Sequence, residues 1–208
     1  MNDLQEAGYY QLNPSGKASC RLCPQDCQIG EGKAGFCKAR RLENGKLLAA
    51  NFGRISALAV DPIEKKPLYH YYPGKTILSV GTIGCNLACE FCQNWQISRE
   101  GDDSTFGRIK TISPAELAEI AVQAHEEQES IGLAYTYSEP GVWFEFLEAT
   151  MPLTRERGLM NVLVTNAFLN PDPWGRLLEW TDAANIDLKG FHEEYYRKLC
   201  HGKLAPVL

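Results

Sequence analysis

Thr76-Ile77-Leu78-Ser79-Val80-Gly81-Thr82 leads almost directly into Cys85-Asn86-Leu87-Ala88-Cys89-Glu90-Phe91-Cys92. The first stretch is short, apolar and rich in β-branched residues, the pattern of a buried strand. The second spaces three cysteines as C-x3-C-x2-C on the loop that the strand feeds. Three thiolates on so short a loop can hold three irons of a [4Fe-4S] cube, and no nearby fourth cysteine caps the remaining iron. One open coordination position is what catalysis at a metal requires, whereas closed four-ligand sites are structural or carry electrons. Zinc fits poorly, because the loop offers three ligands and no histidine close by in sequence.

The sequence downstream is regular. Ser113, Pro114 and Glu116 form a capping-box signature, after which Leu117, Ile120, Ala121 and Ala124 share one helical face. Gly132 to Tyr137 reads as a second strand. A helix from about Gly141 carries Trp143, Phe146, Leu147 and Met151 at core spacing. The apolar run from Leu159 to Thr165 predicts a strand buried on both faces. Asp172-Pro173 starts a helix bearing Trp174, Leu177 and Leu178; Ala183 to Leu188 is a fourth strand, and His192 to Cys200 a fourth helical stretch. Four strands alternating with helices predict a parallel βα array of the α/β class.

On such folds active sites gather at the C-terminal ends of the strands. The cysteine loop lies there, and so do Thr136-Tyr137-Ser138-Glu139-Pro140, Thr165-Asn166 and Asp187-Leu188-Lys189. The two-residue period of a strand puts Asp187 and Lys189 on the same side. No histidine stands out: His70 reads as packing or entrance lining, and His125, His192 and His201 as surface positions. Glu126-Glu127-Gln128-Glu129 puts acid at the unfavourable end of a helix dipole and reads as a solvated face.

Upstream, residues 1–45 are rich in Gly, Lys and Cys with little periodicity, so this segment is expected to depend on a metal for its shape. Cys20, Cys23, Cys27 and Cys37 are spaced C-x2-C-x3-C-x9-C, with Gly30, Gly32 and Gly35 allowing tight turns. A closed four-thiolate set suggests structural zinc; an auxiliary iron–sulfur cluster is the alternative. Residues 46–75 form a β-like connector, with a stretch from Leu47 to Val60 interrupted at Gly53 and a turn-rich Asp61 to Pro67. Residues 76–208 form the βα array. Cys200 reads as an inert, partly buried thiol.

The chain has 208 residues, is 44% hydrophobic and carries a formal charge of -5, which excludes disorder and leaves no basic footprint for nucleic acid. No run approaches a membrane span. The N-terminus, Met1-Asn2-Asp3-Leu4-Gln5-Glu6, lacks the basic and apolar runs of a secretory signal. Without export, cysteines in groups of four and three predict metal ligation in a reducing cytoplasm rather than disulfides.

The cysteine spacing, with Phe91 before the third cysteine, resembles the radical S-adenosylmethionine (SAM) superfamily. A longer match runs through Glu64-Lys65-Lys66-Pro67-Leu68-Tyr69-His70, Tyr72-Pro73-Gly74, Gly84-Cys85-Asn86, Phe91-Cys92-Gln93-Asn94-Trp95 and Ile97-Ser98. It is similar to the radical enzyme of the AmmeMemoRadiSam system, a relative of pyruvate formate-lyase activating enzymes, and extends from Cys20 to Leu208. The resemblance implies that Cys85, Cys89 and Cys92 hold a [4Fe-4S] cluster whose open iron is chelated by SAM. Reductive cleavage then gives methionine and a 5′-deoxyadenosyl radical that abstracts hydrogen from a substrate.

Carried over residue by residue, the resemblance places Phe91, Glu139, Asn166, Asp187 and Lys189 around the cofactor. Glu139 takes the cofactor ammonium, although the family's two glycines before it are absent. Asn166 is a contact to the adenosyl part, with Ala167 where the family has glycine and Val164 where activating enzymes carry an acid. Lys189 pairs with the cofactor carboxylate and Asp187 with a hydroxyl or cation. A flavodoxin- or ferredoxin-like electron donor is implied, and the substrate is a small molecule, a partner protein or RNA. The alternatives are a glycyl-radical-enzyme activase and a non-catalytic iron–sulfur carrier or metal-binding partner module. The implied fold is a partial (βα)6-type barrel. Only four units fit the chain, so about two strands are expected to be missing or supplied by a partner, leaving an open sheet edge.

Overall fold

A computed structural model describes residues 5–100 and 109–208. Met1 to Leu4, where most of the N-terminal signal reading falls, lie outside the described residues.

The chain opens with short strands. β1 (Tyr10–Leu12), β2 (Ala18–Cys20) and β3 (Gln28–Ile29) make an antiparallel sheet, and β4 (Arg40–Glu43) and β5 (Lys46–Ala49) a hairpin. These strands are two to four residues long, too short to show a period. Their apolar side chains, including Ala18, Ile29, Leu42 and Leu47, join the same core as the rest of the protein. The segment expected to take its shape from a metal thus also has a hydrophobic anchor, and the 45/46 boundary falls in the hairpin turn.

β6 (Arg54–Ile55), β7 (Ala57–Pro62), β8 (Thr76–Gly81) and β9 (Lys110–Thr111) follow. Then come α1 (Pro114–Gln128), β10 (Ser130–Tyr135), α2 (Phe144–Glu156), β11 (Met160–Thr165), α3 (Pro171–Leu178) and β12 (Ala183–Ile186). The central sheet has the order β12-β11-β10-β8-β7. β8, β10, β11 and β12 are mutually parallel, with Leu78 and Asn161 both opposite Leu133. These are the four strands predicted by the apolar runs.

β7 corrects the reading of the connector. It pairs antiparallel with β8 from Ala57 opposite Gly81 to Pro62 opposite Thr76, so Asp61 belongs to a strand rather than a turn. A proline is tolerated at the end of an edge strand because no ladder donor is needed there. Only after it does the chain turn, at Ile63–Lys65.

Both faces of the sheet are covered, which explains the continuous apolar runs. Leu78, Val80, Leu133, Tyr135 and Leu163 pack in one core with Leu117, Phe146, Leu147 and Met151 of the helices. Ile77, Ala134 and Val162 meet Ile63 in another. Helix α1 starts with the predicted capping box: Ser113 Oγ accepts from Glu116 N at 3.2 Å, while Glu116 Oε2 accepts from Ser113 N at 2.7 Å. Its acidic end is exposed, as expected. His125, His192 and His201 are exposed, but so is His70, which does not pack. The last helical stretch is a single turn, Glu193–Tyr195, that widens into a π turn, Tyr196–Cys200. No helix among the described residues is long and apolar enough to cross a membrane.

Candidate active site

The three cysteines lie just beyond the C-terminal end of β8, and Gly84 shapes the exit. Its φ is +93°, and a Cβ there would sit 2.5 Å from the Cys37 carbonyl oxygen, so only glycine fits between strand and loop. The loop lines a cleft of about 770 Å³, a size suited to a small-molecule cofactor. Cys85, Cys89, Cys92, Phe91, Glu139, Asn166, Asp187 and Lys189, all singled out from sequence, line this one cleft.

The cysteine sulfurs have local partners. Leu87 N–H and Asn166 Nδ2 donate to Cys85 Sγ at 3.4 and 3.7 Å, and Ser98 Oγ lies 3.8 Å from Cys92 Sγ. Burial, and then Glu139, pushes the Cys85 thiol up; burial does the same for Cys89. A bound cation inverts that preference by deprotonating its thiol ligands.

Glu139 is 2% exposed at the end of β10. Its Oε1 accepts from Thr165 Oγ1 at 2.6 Å and Gly141 N at 2.8 Å, and its Oε2 from Asn166 N at 2.9 Å. Burial raises its pKa, with the Thr165, Asn166 and Gly141 bonds pulling the other way. A carboxylate offers about four acceptor sites, and three are filled, leaving one on Oε2 for an ammonium donor. On the opposite sign, burial depresses Lys189, but Asp187 more than offsets it and the net shift is upward. Lys189 and Asp187, expected to meet the cofactor carboxylate and a hydroxyl or cation, form an ion pair with each other just beyond β12, which ends at Ile186 rather than Leu188. An acidic and a basic group in one cleft match the ammonium and carboxylate of an amino-acid moiety, so the residues present fit both the cluster and SAM.

Two residues are placed differently from expectation. Asn166 points to the cysteine loop, donating to Asn86 Oδ1 at 3.0 Å as well as to Cys85. Phe91 is 48% exposed and tilts against Tyr195 at 5.9 Å. Ala167, standing where the family has glycine, adopts the left-handed φ of 54° that glycine would favour.

Sequence reading missed a polar wall of the same cleft. Lys66, 3% exposed, reaches Asp61 Oδ2 at 2.8 Å and lies over the Tyr137 ring, while Tyr137 Oη donates to Asp61 at 2.9 Å. Tyr137 has a φ of 69°, a strained value of the kind that clusters at functional sites. The signals were that Tyr137 lies in the strand-end segment Thr136-Tyr137-Ser138-Glu139-Pro140 and Lys66 in a stretch quoted for its resemblance. Burial raises the Tyr137 phenol and Asp61 adds to it, to about 12.

Cys20, Cys23, Cys27 and Cys37 line a second, small pocket together with Arg40. Phe36 N–H donates to Cys27 Sγ at 3.4 Å, and Arg40 Nη1 to Cys20 Sγ at 3.9 Å. Burial pushes Cys37 to about 11 and Cys23 higher still. Among the described residues no group of His, Cys, Asp and Glu is already gathered as a single-ion site. All eight cysteines are free thiols.

A strand-fed three-cysteine loop at the C-terminal end of a parallel sheet shares its cleft with an acid and a base, an arrangement able to hold an iron–sulfur cluster beside an amino-acid moiety. Residues 79–206 match the Radical SAM superfamily, and the chain belongs to it. The general chemistry of that superfamily is [4Fe-4S]-dependent cleavage of SAM. An uncharacterized protein of Methanocaldococcus jannaschii is 40% identical over 205 residues, which are 99% of this chain and 59% of that protein. The chain thus spans about three-fifths of that relative's length.

Proposed function

We propose that this chain is the radical SAM enzyme of an AmmeMemoRadiSam-type system, related to pyruvate formate-lyase activating enzymes. The observation that carries the reading is the convergence of Cys85, Cys89, Cys92, Glu139 and Lys189 on one cleft. Cys85, Cys89 and Cys92 would hold the [4Fe-4S] cluster. With SAM bound, cluster and cofactor supply reductive carbon–sulfur cleavage and hydrogen abstraction from a substrate. Glu139 orients the cofactor by accepting from its ammonium through the acceptor site its own neighbours leave open. Lys189, steered by Asp187, meets the carboxylate. Asn166 fixes the cysteine loop rather than the adenosine, because both its Nδ2 contacts go there.

The four N-terminal cysteines form a separate metal centre, zinc or an auxiliary cluster, which iron and zinc counts on Cys20→Ala/Cys23→Ala would assign. We further propose a cytoplasmic setting and a flavodoxin- or ferredoxin-like electron donor.

Anaerobic reconstitution with iron and sulfide, then reduction in the presence of SAM, tests the central reading. The expected result is 5′-deoxyadenosine formation that is lost in Cys89→Ala. A fully reconstituted cluster that never cleaves SAM would favour the electron-carrier alternative and overturn the assignment.

A further inference from the structure

The polar wall built by Lys66, Asp61 and Tyr137 holds more positive charge than it neutralises. Asp61 receives three donors: Lys66 Nζ at 2.8 Å and Tyr137 Oη at 2.9 Å on Oδ2, and Lys65 Nζ at 3.1 Å on Oδ1. Two ammonium groups thus share one carboxylate, and the cluster is left with a net positive charge. The Lys66 and Asp61 side chains are only 4% and 12% exposed, so water screens that charge poorly. All four residues line the cleft that also holds Glu139 and Lys189.

An ammonium carries three N–H donors. Among the described residues Lys66 Nζ has one hydrogen-bond acceptor, Asp61 Oδ2, and the Tyr137 ring face, 5.0 Å away, covers a second side of the cation. The Tyr137 hydroxyl gives its proton to Asp61, so it offers Lys66 the ring alone. At least one donor of a buried cation is therefore left for an acceptor that enters the cleft. Position separates this wall from the groups assigned to the cofactor. Asp61 lies on β7 at one edge of the central sheet, and Asp187 and Lys189 follow β12 at the other. The two edges are roughly 19 Å apart along the sheet, at about 4.8 Å per strand spacing. An amino-acid moiety held by Glu139 and Lys189 leaves Lys66 to a second molecule.

We propose that Lys66, assisted by Lys65, anchors the substrate by an anionic group, so that the molecule losing hydrogen is a small compound bearing a carboxylate or a phosphate. Asp61 and Tyr137 are positioning residues that hold the ammonium in place. The inference rests on the reading of this cleft as a radical SAM site with Glu139 and Lys189 committed to the cofactor. A lysine suits either anion, because it acts as a point charge and demands no bidentate geometry.

The test is anaerobic titration calorimetry of the reconstituted protein, with the cluster oxidised and SAM saturating, using inorganic phosphate and malonate as probes. Wild type should bind at least one of them at a single saturable site, and the tighter probe distinguishes a phosphate from a carboxylate. Lys66→Met keeps the stem and loses the charge; it should weaken that binding about tenfold or more and leave SAM affinity within about twofold. Asp61→Asn removes the competing negative charge and should tighten anion binding about threefold. It also supplies the reading if Lys66→Met does not fold. A merely structural cluster would lower the melting temperature in both variants and weaken anion binding in both or in neither, which overturns the proposal. So does the failure of both probes to bind beside SAM. Competition between the anions and SAM overturns it as well, by returning Lys66 to the cofactor. SAM cleavage without anion binding removes this inference alone. Anion binding that follows Lys66 in a protein that never cleaves SAM overturns the radical reading instead, and with it the assignment of the anion to a radical substrate.

Discussion

Arg40 on β4 and Glu145 in the first turn of α2 form an ion pair whose side chains are 1% and 9% exposed. The pair also pins the N-terminal strands: Arg40 Nη1 donates to the Gly8 carbonyl at 2.6 Å, and Gly8 N–H donates to Glu145 Oε1 at 2.9 Å. Arg40 Nε and Glu145 Oε2 find no partner, so the pair itself must offset most of the cost of burying both charges. Arg40→Met keeps much of the stem volume but leaves a buried carboxylate uncompensated, which costs about 3–5 kcal/mol. Arg40→Met/Glu145→Leu removes both charges, and the loss relative to wild type should shrink to about 1–2 kcal/mol, since an apolar pair of similar volume can replace a buried ion pair. Anaerobic urea unfolding of the metal-loaded protein followed by circular dichroism measures both. A single variant within about 1 kcal/mol of wild type, or a double variant costing the sum of the singles, would refute the reasoning.

Metal retention separates a second role of Arg40. The residue lines the four-cysteine pocket, where a divalent ion on four thiolates would leave a net charge of about −2 for a buried cation to balance. Chelator-driven metal loss should therefore speed up in both the single and the double variant, because both lack the guanidinium. Stability should recover only in the double.

Gly84→Ala should destabilise by about 3 kcal/mol or more and lower iron loading, because the new Cβ meets the Cys37 carbonyl at 2.5 Å on a left-handed backbone; a thermal melt and an iron assay check it. Ser113→Ala removes the capping box of α1 and should cost about 1 kcal/mol in urea unfolding, with SAM cleavage unchanged. Burial would raise Asp61, but hydrogen bonds from Lys66, Lys65 and Tyr137 outweigh it and hold the carboxyl well below its usual range. Its contribution to stability is therefore present above the unfolded value of about 3.9 and lost as pH falls through the folded value. Urea midpoints measured down to about pH 2 should drop more steeply for wild type than for Asp61→Asn, and parallel curves would show that Asp61 carries no such linkage.

β8, β10 and β11 were legible because they are buried on both faces, so composition alone marks Val162-Leu163 or Ile77-Leu78 as interior, whereas β12, half-buried with Ile186 exposed, followed only from the alternation of strands and helices. The start of α1 was legible because capping is a local interaction three residues long. β7 was legible only in part: Ala57-Leu58-Ala59-Val60 fell in the β-like stretch, but its extension through Asp61 and Pro62 and its antiparallel pairing with β8 are decided across the intervening loop. The site divides the same way. Residues at strand ends, such as Glu139, Asn166 and Lys189, follow from chain position once the strands are known. Lys66 and Cys200 reach the cleft or its cysteine loop through contacts between distant segments, for which the sequence carries no periodic signal. Lone thiols are most often structural, so Cys200 read as inert.

Those long-range contacts also explain why the cysteine loop can hold one shape without regular secondary structure. From one side the N-terminal segment grips it: Cys37 and Ala39 crowd Gly84, and Gln25 Nε2 takes the Asn86 carbonyl. Arg99, from the turn after the loop, lies over the Phe36 ring, with Nη1 shared between the Phe36 and Leu87 carbonyls. From the other side the π turn supplies the Leu199 and Cys200 carbonyls to Glu90 and Ala88. From beneath, Asn86 Nδ2 donates to the Phe168 carbonyl at 2.5 Å and Asn166 ties β11 to the loop. Backbone groups of a buried loop must find partners, and here they are distributed over three separate parts of the chain. The sulfur positions are consequently set by the whole fold rather than by the eight-residue motif. A binding group whose open position must face Glu139 and Lys189 needs that degree of fixation, because a displacement of about 1 Å is enough to degrade a reactive geometry.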